Sequence, residues 1–381
     1  MIKIADKSKC TGCSACANAC PKNSIKMLPD ELGFLYPNVD LNSCINCGLC
    51  EKTCPVLSNN NLDRKIQKAY AVRCKDLNIR MNSSSGGVFS LLGLKILDEE
   101  GVVYGAALNE SLQVNHFAAK SLQELIPLRG SKIIQSSIGY VFQDVKNELL
   151  SGKKVLFTGT PCQIFGLHNY LGKQYNNLIT QDIICHGVCS PVLFEKYISY
   201  KKDKHGSGIR SIRFRDKNTG WRNYSVSICY DNGDSTVVPH GKDELMRAYL
   251  KNYALRPACY SCCYKGMNRA SDITLADFWG AEHFVSKFDD DKGISFVICR
   301  SDIGNSYIKS ILNETDSEEV NYSDVVKYNM SAEVSSKQPT DNDLFCKSIS
   351  SMPFNNLIET FCKVSLTTKL KRTIKSVLKL R

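Results

Sequence analysis

Eight cysteines near the start of the chain fall in two rows of one spacing. Cys10, Cys13, Cys16 and Cys20 follow C-x2-C-x2-C-x3-C with Pro21 next; Cys44, Cys47, Cys50 and Cys54 repeat it with Pro55 next. Three thiolates from one tight loop and a fourth from elsewhere suit a cubane [4Fe–4S] cluster, and in two-cluster chains of this spacing the fourth cysteine ligates the other cluster. The expected ligation is therefore crossed. Cys10, Cys13, Cys16 and Cys54 hold one cluster; Cys44, Cys47, Cys50 and Cys20 hold the other. Zinc is the alternative, but its sites favour paired C-x2-C units separated by a longer spacer. Small residues flank the ligands (Gly12, Ser14, Ala15, Ala17, Gly48) and let backbone N–H groups approach the sulfurs. Crossed ligation also ties together two halves whose shared core is small.

This segment resembles the bacterial two-cluster ferredoxins over its full length, with Gly33, Tyr36 and Pro37 on a short hairpin between the repeats. The chain has 19 cysteines in 381 residues. It has no apolar run long enough to span a bilayer and no signal-peptide core before Cys10. A cytoplasmic location is expected, where cysteines act as ligands or thiols rather than disulfides. Of the net charge of +11, seven basic residues (Lys363, Lys369, Lys371, Arg372, Lys375, Lys379, Arg381) fall in the last 19 positions without a carboxylate. The rest is only mildly basic, so no nucleic-acid partner is expected.

Four further places could carry chemistry. Ser84-Ser85-Gly86-Gly87 opens a helical pattern and offers N–H groups to a phosphate; a plain capped helix with a glycine pair is the alternative. Thr158-Gly159-Thr160-Pro161-Cys162-Gln163 follows a strand, where a doubly wound sheet binds ligands. Cys162 lies near a helix N-terminus, which favours thiolate; it reads as a ligand, a nucleophile or a buried thiol. Asp182 to Gly187, with Cys185 and His186, ends another strand. Cys259-Tyr260-Ser261-Cys262-Cys263 is half of a four-thiolate site. Cys162 and Cys185 are the candidates to complete it, and Cys189 and Cys263 are the spares. Cys229 and Cys299 read as buried core residues.

The elements that must position these residues are of mixed type. Ala69–Arg73, Val102–Ala107, Lys154–Thr158 and Leu178–Cys185 read as strands. A helix with a serine N-cap runs from Val88 to a stop at Gly101, and another starts at Thr160-Pro161. Strands alternating with helices indicate an α/β core. Arg210–Arg215, Tyr224–Tyr230 and Ser235–Val238 read as antiparallel strands with a turn at 231–234. The fold class expected is multidomain α+β and α/β, a ferredoxin-like two-cluster domain followed by a mixed α/β flavin-binding body.

Taken in order, the turn at 83–87, Arg129-Gly130-Ser131-Lys132, Gly159–Gln163, Ile184–Gly187 and the stretch from Cys259 to Gly280 resemble the beta subunit of coenzyme F-420 hydrogenase/dehydrogenase from about residue 65 to 300. The resemblance implies domains at 1–57 (two-cluster), 65–150 and 151–310 (the family's N- and C-terminal domains), and a C-terminal extension at 311–381. It implies an oxidoreductase carrying FAD and a third [4Fe–4S] cluster. Ser85, Gly86, Gly87, Lys132, Gly159 and Thr160 would contact FAD. Cys162, Cys185, Cys259 and Cys262 would hold the third cluster, with Cys189 and Cys263 as competitors. Ferredoxin or a partner subunit would exchange electrons with a small-molecule substrate. The substrate differs among relatives (a deazaflavin in some, a chlorophyll derivative in others), and no catalytic residue is assigned. Two other readings are an electron carrier feeding a partner enzyme and a zinc scaffold. Trp279 packs near the flavin or fills the core.

Leu366, Leu370, Ile374, Val377 and Leu378 share one face at helical spacing. Residues 363–381 thus read as a basic amphipathic helix. It either makes peripheral contact with an anionic membrane or docks on the body.

Overall fold

The computed structural model describes residues 1–4, 6–58, 64–267 and 269–363. The linker expected around 58–61 and the basic helix expected at 363–381 lie almost wholly outside them. Among the described residues no helix is long and apolar enough to cross a membrane.

In the N-terminal module β1 (Ile25–Pro29) and β2 (Leu35–Val39) pair antiparallel. The turn between them is closed by Asp30, whose Oδ1 accepts from the N–H groups of Leu32 and Phe34, both at 3.0 Å. Two one-turn helices, Ala15–Asn18 and Leu49–Thr53, carry Cys16 and Cys50. The module's core is little more than Ile2, Ala17 and Ile25 packed with Cys16, Cys50 and Cys54. So small a core needs cross-links or support from the body.

The body is built on one eight-stranded sheet and one smaller sheet. Its strands are β3 (Lys68–Cys74), β4 (Val102–Leu108), β5 (Val114–Ala119), β6 (Val155–Gly159) and β7 (Leu178–Ile183); then β8 (Ile209–Asp216), β9 (Ser225–Tyr230) and β10 (Ser235–Pro239); then β11 (Ile273–Asp277), β12 (Ser295–Cys299) and β13 (Thr315–Glu319). The large sheet has the order β13-β3-β12-β11-β7-β6-β4-β5, and its strands come from before residue 150, after it and beyond 310. Four adjacent strands, β11-β7-β6-β4, are parallel, and the pairings on either side of them are antiparallel.

Strand alternation divides the large sheet's side chains between two cores. Val103, Leu156 and Ile179 face the helices Val88–Asp98 and Asp302–Ile311. Tyr104, Phe157 and Leu178 face Val141–Leu150 and Pro161–Leu171. Both faces of the parallel strands are thus covered, as such strands require. The meander β8–β9–β10 packs with Pro191–His205, Glu244–Leu250, Asn342–Ser351 and Phe354–Phe361 into a separate core.

Two local expectations are corrected. The helix Val88–Asp98 is capped by Gly87 at φ +94° with no side-chain cap, not by a serine: only glycine takes that backbone conformation freely. Cys229 is exposed on β9, because its neighbours Ile228 and Tyr230 take the core-facing positions, whereas Cys299 is buried. Trp279 is half-buried and stacks on Trp221 with ring centroids 4.9 Å apart.

Candidate functional site

The structure gathers the twelve predicted cysteine ligands into three sets. Cys20 borders a small cavity with Cys44, Cys47 and Cys50. Burial pushes the Cys13 thiol up, and Cys16, Cys10 and Cys54 lie close enough to push it further. The fourth cysteine of each row therefore stands with the other row, as crossed ligation requires. The repeat is visible in the backbone too. Gly12 and Asn46 occupy the same loop position, at φ +69° and +51°, and Ser14 and Gly48 the same next one, at +62° and +74°. Alternating left-handed residues turn successive N–H groups inward, a concavity that suits anionic sulfur. The N–H of Ile2 lies 3.2 Å from Cys50 Sγ and that of Ser24 lies 3.3 Å from Cys20 Sγ.

The two sets differ in surroundings. The proximal set, Cys10, Cys13, Cys16 and Cys54, faces the body. Cys13 and Ala15 pack with Phe142, Ile164 and Phe165. On the helix Pro161–Leu171, Gly166 leaves room for Cys13: a Cβ there would stand 3.0 Å from Cys13 Sγ. The distal set has Cys47 exposed and Cys44 half-buried, beside the exposed side chains of Leu41, Ile45 and Leu49.

The third set is Cys162, Cys185, Cys259 and Cys262, on the wall of one cleft of about 330 Å³. Burial pushes the Cys259 thiol up, and Cys185, Cys162 and Cys262 add to it. Burial likewise raises Cys162, with contributions from Cys262, Cys185 and the proximal Cys13. Only the Thr160 hydroxyl pulls the Cys162 thiol back down, and burial prevails, which disfavours a free nucleophile and suits a ligand deprotonated by its metal. Cys189 is buried in the separate core with Leu193 and Tyr197, and Cys263 is exposed; neither lines the cleft. Among the described residues no three His, Cys, Asp or Glu side chains close on a single ion. A cubane spreads its thiolates over four irons and so holds them further apart.

The cleft lies where an open α/β sheet binds ligands, at the carboxyl ends of the parallel strands. Ala106 of β4, Gly159 of β6, Ile183 of β7 and Asp277 of β11 all border it. Ser84, Ser85, Gly87, Val88 and Phe89 also line it, so the N-terminus of the 11-residue helix Val88–Asp98 opens into it. Ser85, Gly87, Lys132, Gly159 and Thr160 line the cleft; Gly86 does not. A Cβ at Gly86 would strike Val72 O at 2.2 Å and Ser295 N at 2.6 Å, so that glycine seats the loop on β3 and β12. Lys132 Nζ donates to the carbonyls of Arg129 (2.7 Å) and Gly130 (3.0 Å), and burial lowers its pKa to about 7. Gln163 Oε1 accepts from Thr160 N–H at 2.9 Å, and Thr160 Oγ1 lies 3.1 Å from Cys162 Sγ.

Several functional neighbours were not found from the sequence. His116 lies between Thr158 O and Ser136 Oγ, both at 3.0 Å, and Gln163 Nε2 donates to Ser136 Oγ at 2.9 Å. Burial lowers His116 to about 4, so this wall of the cleft is neutral. Lys217 Nζ donates to the carbonyls of Arg80, Ser85 and Lys292, which fixes the serine loop. Lys265 Nζ donates to Cys185 O and Ser331 O. Gln163 and Lys265 lie within motifs already singled out, though without a role assigned there; His116, Ser136 and Lys217 arrive from other parts of the chain.

Comparison with known proteins yields two family matches. Residues 9–57 match the 4Fe-4S dicluster domain, and residues 152–338 match the C terminus of the coenzyme F420 hydrogenase/dehydrogenase beta subunit. Both resemblances seen in the sequence are thereby borne out. Among solved structures the chain is similar to one in the F420-reducing [NiFe] hydrogenase complex from Methanosarcina barkeri. The two share 17% identity with a TM-score of 0.46, over 79% of this chain and 93% of the other. No curated protein matches. The chain thus joins an N-terminal segment similar to the 4Fe-4S dicluster domain to a segment similar to the C terminus of that beta-subunit family.

Proposed function

We propose that the chain is an iron–sulfur flavoprotein oxidoreductase. Clusters held by the exposed distal set, the proximal set and Cys162, Cys185, Cys259 and Cys262 would supply single-electron transfer in that order toward the cleft, where Ser85, Gly87, Lys132, Gly159 and Thr160 would hold FAD. One observation carries this reading: four half-buried thiols and a helix N-terminus without a side-chain cap line one cleft, and the helix that begins beside Cys162 touches Cys13 through Gly166. A flavin exchanges electrons singly or in pairs and a cubane exchanges one, so the pair would convert between single-electron and hydride chemistry.

The chain's own residues then have separate tasks. The N-terminus at Gly87 and the neighbouring Ser85 suit the flavin's phosphates. Gly159, without a side chain, lets a ligand approach the end of β6. Protonated Lys132 would offer a third N–H besides the two already engaged. The apolar walls, including Val88, Leu128 and Leu275, exclude water from an isoalloxazine ring. The matched family's name makes coenzyme F420 the first substrate to try, with a ferredoxin or partner subunit as the redox partner.

Anaerobic purification with iron, sulfide and flavin assays tests the proposal. Three cubanes and one FAD give about twelve irons and one flavin per chain. About eight irons without flavin would leave only a carrier.

A further inference from the structure

We infer that Arg256 is the electrostatic link between the proximal and third cysteine sets, supplying the positive charge that makes the proximal cluster the easier of the module's two to reduce. This rests on the reading that both sets hold clusters. The backbone of Arg256 belongs to the third set's loop: its N–H donates to Val188 O at 3.0 Å, and its carbonyl accepts from Cys259 N–H at 2.8 Å. Its guanidinium belongs to the proximal set: Nε donates to Cys10 O at 2.7 Å, Nη2 to Leu35 O at 2.9 Å and Nη1 to Gln135 Oε1 at 2.7 Å. Gln135 in turn donates to Thr11 O at 3.3 Å. The guanidinium also lies 4.3 Å from the centre of the Tyr36 ring.

These partners satisfy hydrogen bonds and leave the charge. Arg256 is 1% exposed, and among the described residues no carboxylate pairs with it. A buried cation without a counter-ion is costly. The remaining candidate for that counter-ion is the cluster on the Cys10 loop, since a cubane with four thiolates is anionic and becomes more so on reduction. Asp30, Cys10 and Cys259 all act electrostatically on Tyr36, over which the guanidinium stacks; Asp30 is already paired with Lys7 at 3.2 Å, and the two cysteines place Arg256 between the two sets. A fixed positive charge favours the reduced cluster and raises its potential. At the distal set the nearby positive charge is the solvent-exposed Met1 ammonium, which interacts electrostatically with Cys50 and Cys44 but is already paired with Glu51 at 3.1 Å. Among the described residues no buried, carboxylate-free guanidinium stands there, whereas a Cβ at Gly12 would meet Arg256 Nη1 at 2.7 Å. The step this favours is the transfer of one electron from the distal to the proximal cluster, with no bond made or broken.

The test is an EPR-monitored redox titration of the anaerobically purified full chain. The proximal signal is the one lost in Cys13→Ala. At a fixed potential on the wild-type midpoint, Arg256→Gln should lower the reduced-to-oxidised ratio of that signal by about tenfold or more. The distal signal should stay put. Arg256→Lys keeps the charge and should stay within about threefold of wild type. An unchanged ratio in Arg256→Gln at full iron content overturns the inference. So does an equal loss in the lysine variant, which alone decides the matter if the glutamine variant does not fold. Wild-type protein without cubane signals would instead refute the functional reading beneath it.

Discussion

The cysteine rows starting at Cys10 and Cys44 have one spacing and one backbone pattern, yet opposite surroundings. The loop of the first row packs on the helix Pro161–Leu171 through Cys13 and is held by Arg256 and Gln135; the loop of the second row carries the exposed Cys47 among exposed apolar side chains, and its last member, the buried Cys54, returns to the first set. A repeat that is symmetric in its ligands thus becomes directional through what packs on it. One end is open to solvent at Cys47, and the other faces the body that carries the cleft.

The largest expected contrast is between Cys13→Ala and Cys47→Ala. Each should cost about four irons. Only the first also leaves a gap against Gly166 and Phe142, so thermal unfolding of the body should shift down in Cys13→Ala and hold in Cys47→Ala. Equal shifts would mean that the proximal set is not part of the body's packing.

A smaller contrast is expected at the loop position shared by Gly12 and Asn46. Alanine in a left-handed conformation costs about 1–2 kcal/mol at either. At Gly12 the new methyl also collides with Arg256 and Gln135, which adds about 1–3 kcal/mol of overpacking. Urea denaturation should therefore place Gly12→Ala clearly below Asn46→Ala.

The smallest effect is expected in the cleft. Lys132 titrates at about 7 because burial disfavours its charge. An anionic ligand beside it would raise that value, so the bound chain holds more protons than the free chain above pH 7. Flavin affinity should then fall as pH rises past 7, by at most about tenfold per unit. Lys132→Met should flatten the profile, as fluorescence titration of FAD would show.

Much of this was legible in the sequence because ligand spacing and strand-ending glycines are local signals. The rows at Cys10 and Cys44, the strand before Gly159 and the helix from Pro161 could all be read from neighbouring residues. Which row docks could not, since Gly12 and Asn46 differ for a reason that lies at residues 135 and 256. Likewise Gly86 belonged to a motif that suggested phosphate, but its small size is demanded by Val72 and Ser295, far away in the chain. The serine N-cap expected before Val88 failed for a local reason: a left-handed Gly87 is what aims the helix at the cleft.

The central claim is that electrons reach the cleft only through the thiols at its wall. Stopped-flow mixing of anaerobic, oxidised protein with a reduced ferredoxin, read at cluster and flavin wavelengths, tests it most directly. The account predicts that the clusters bleach before the flavin in wild type, and that in Cys162→Ala the module's clusters still bleach while the flavin stays oxidised. Flavin reduction at an unchanged rate in Cys162→Ala would contradict it.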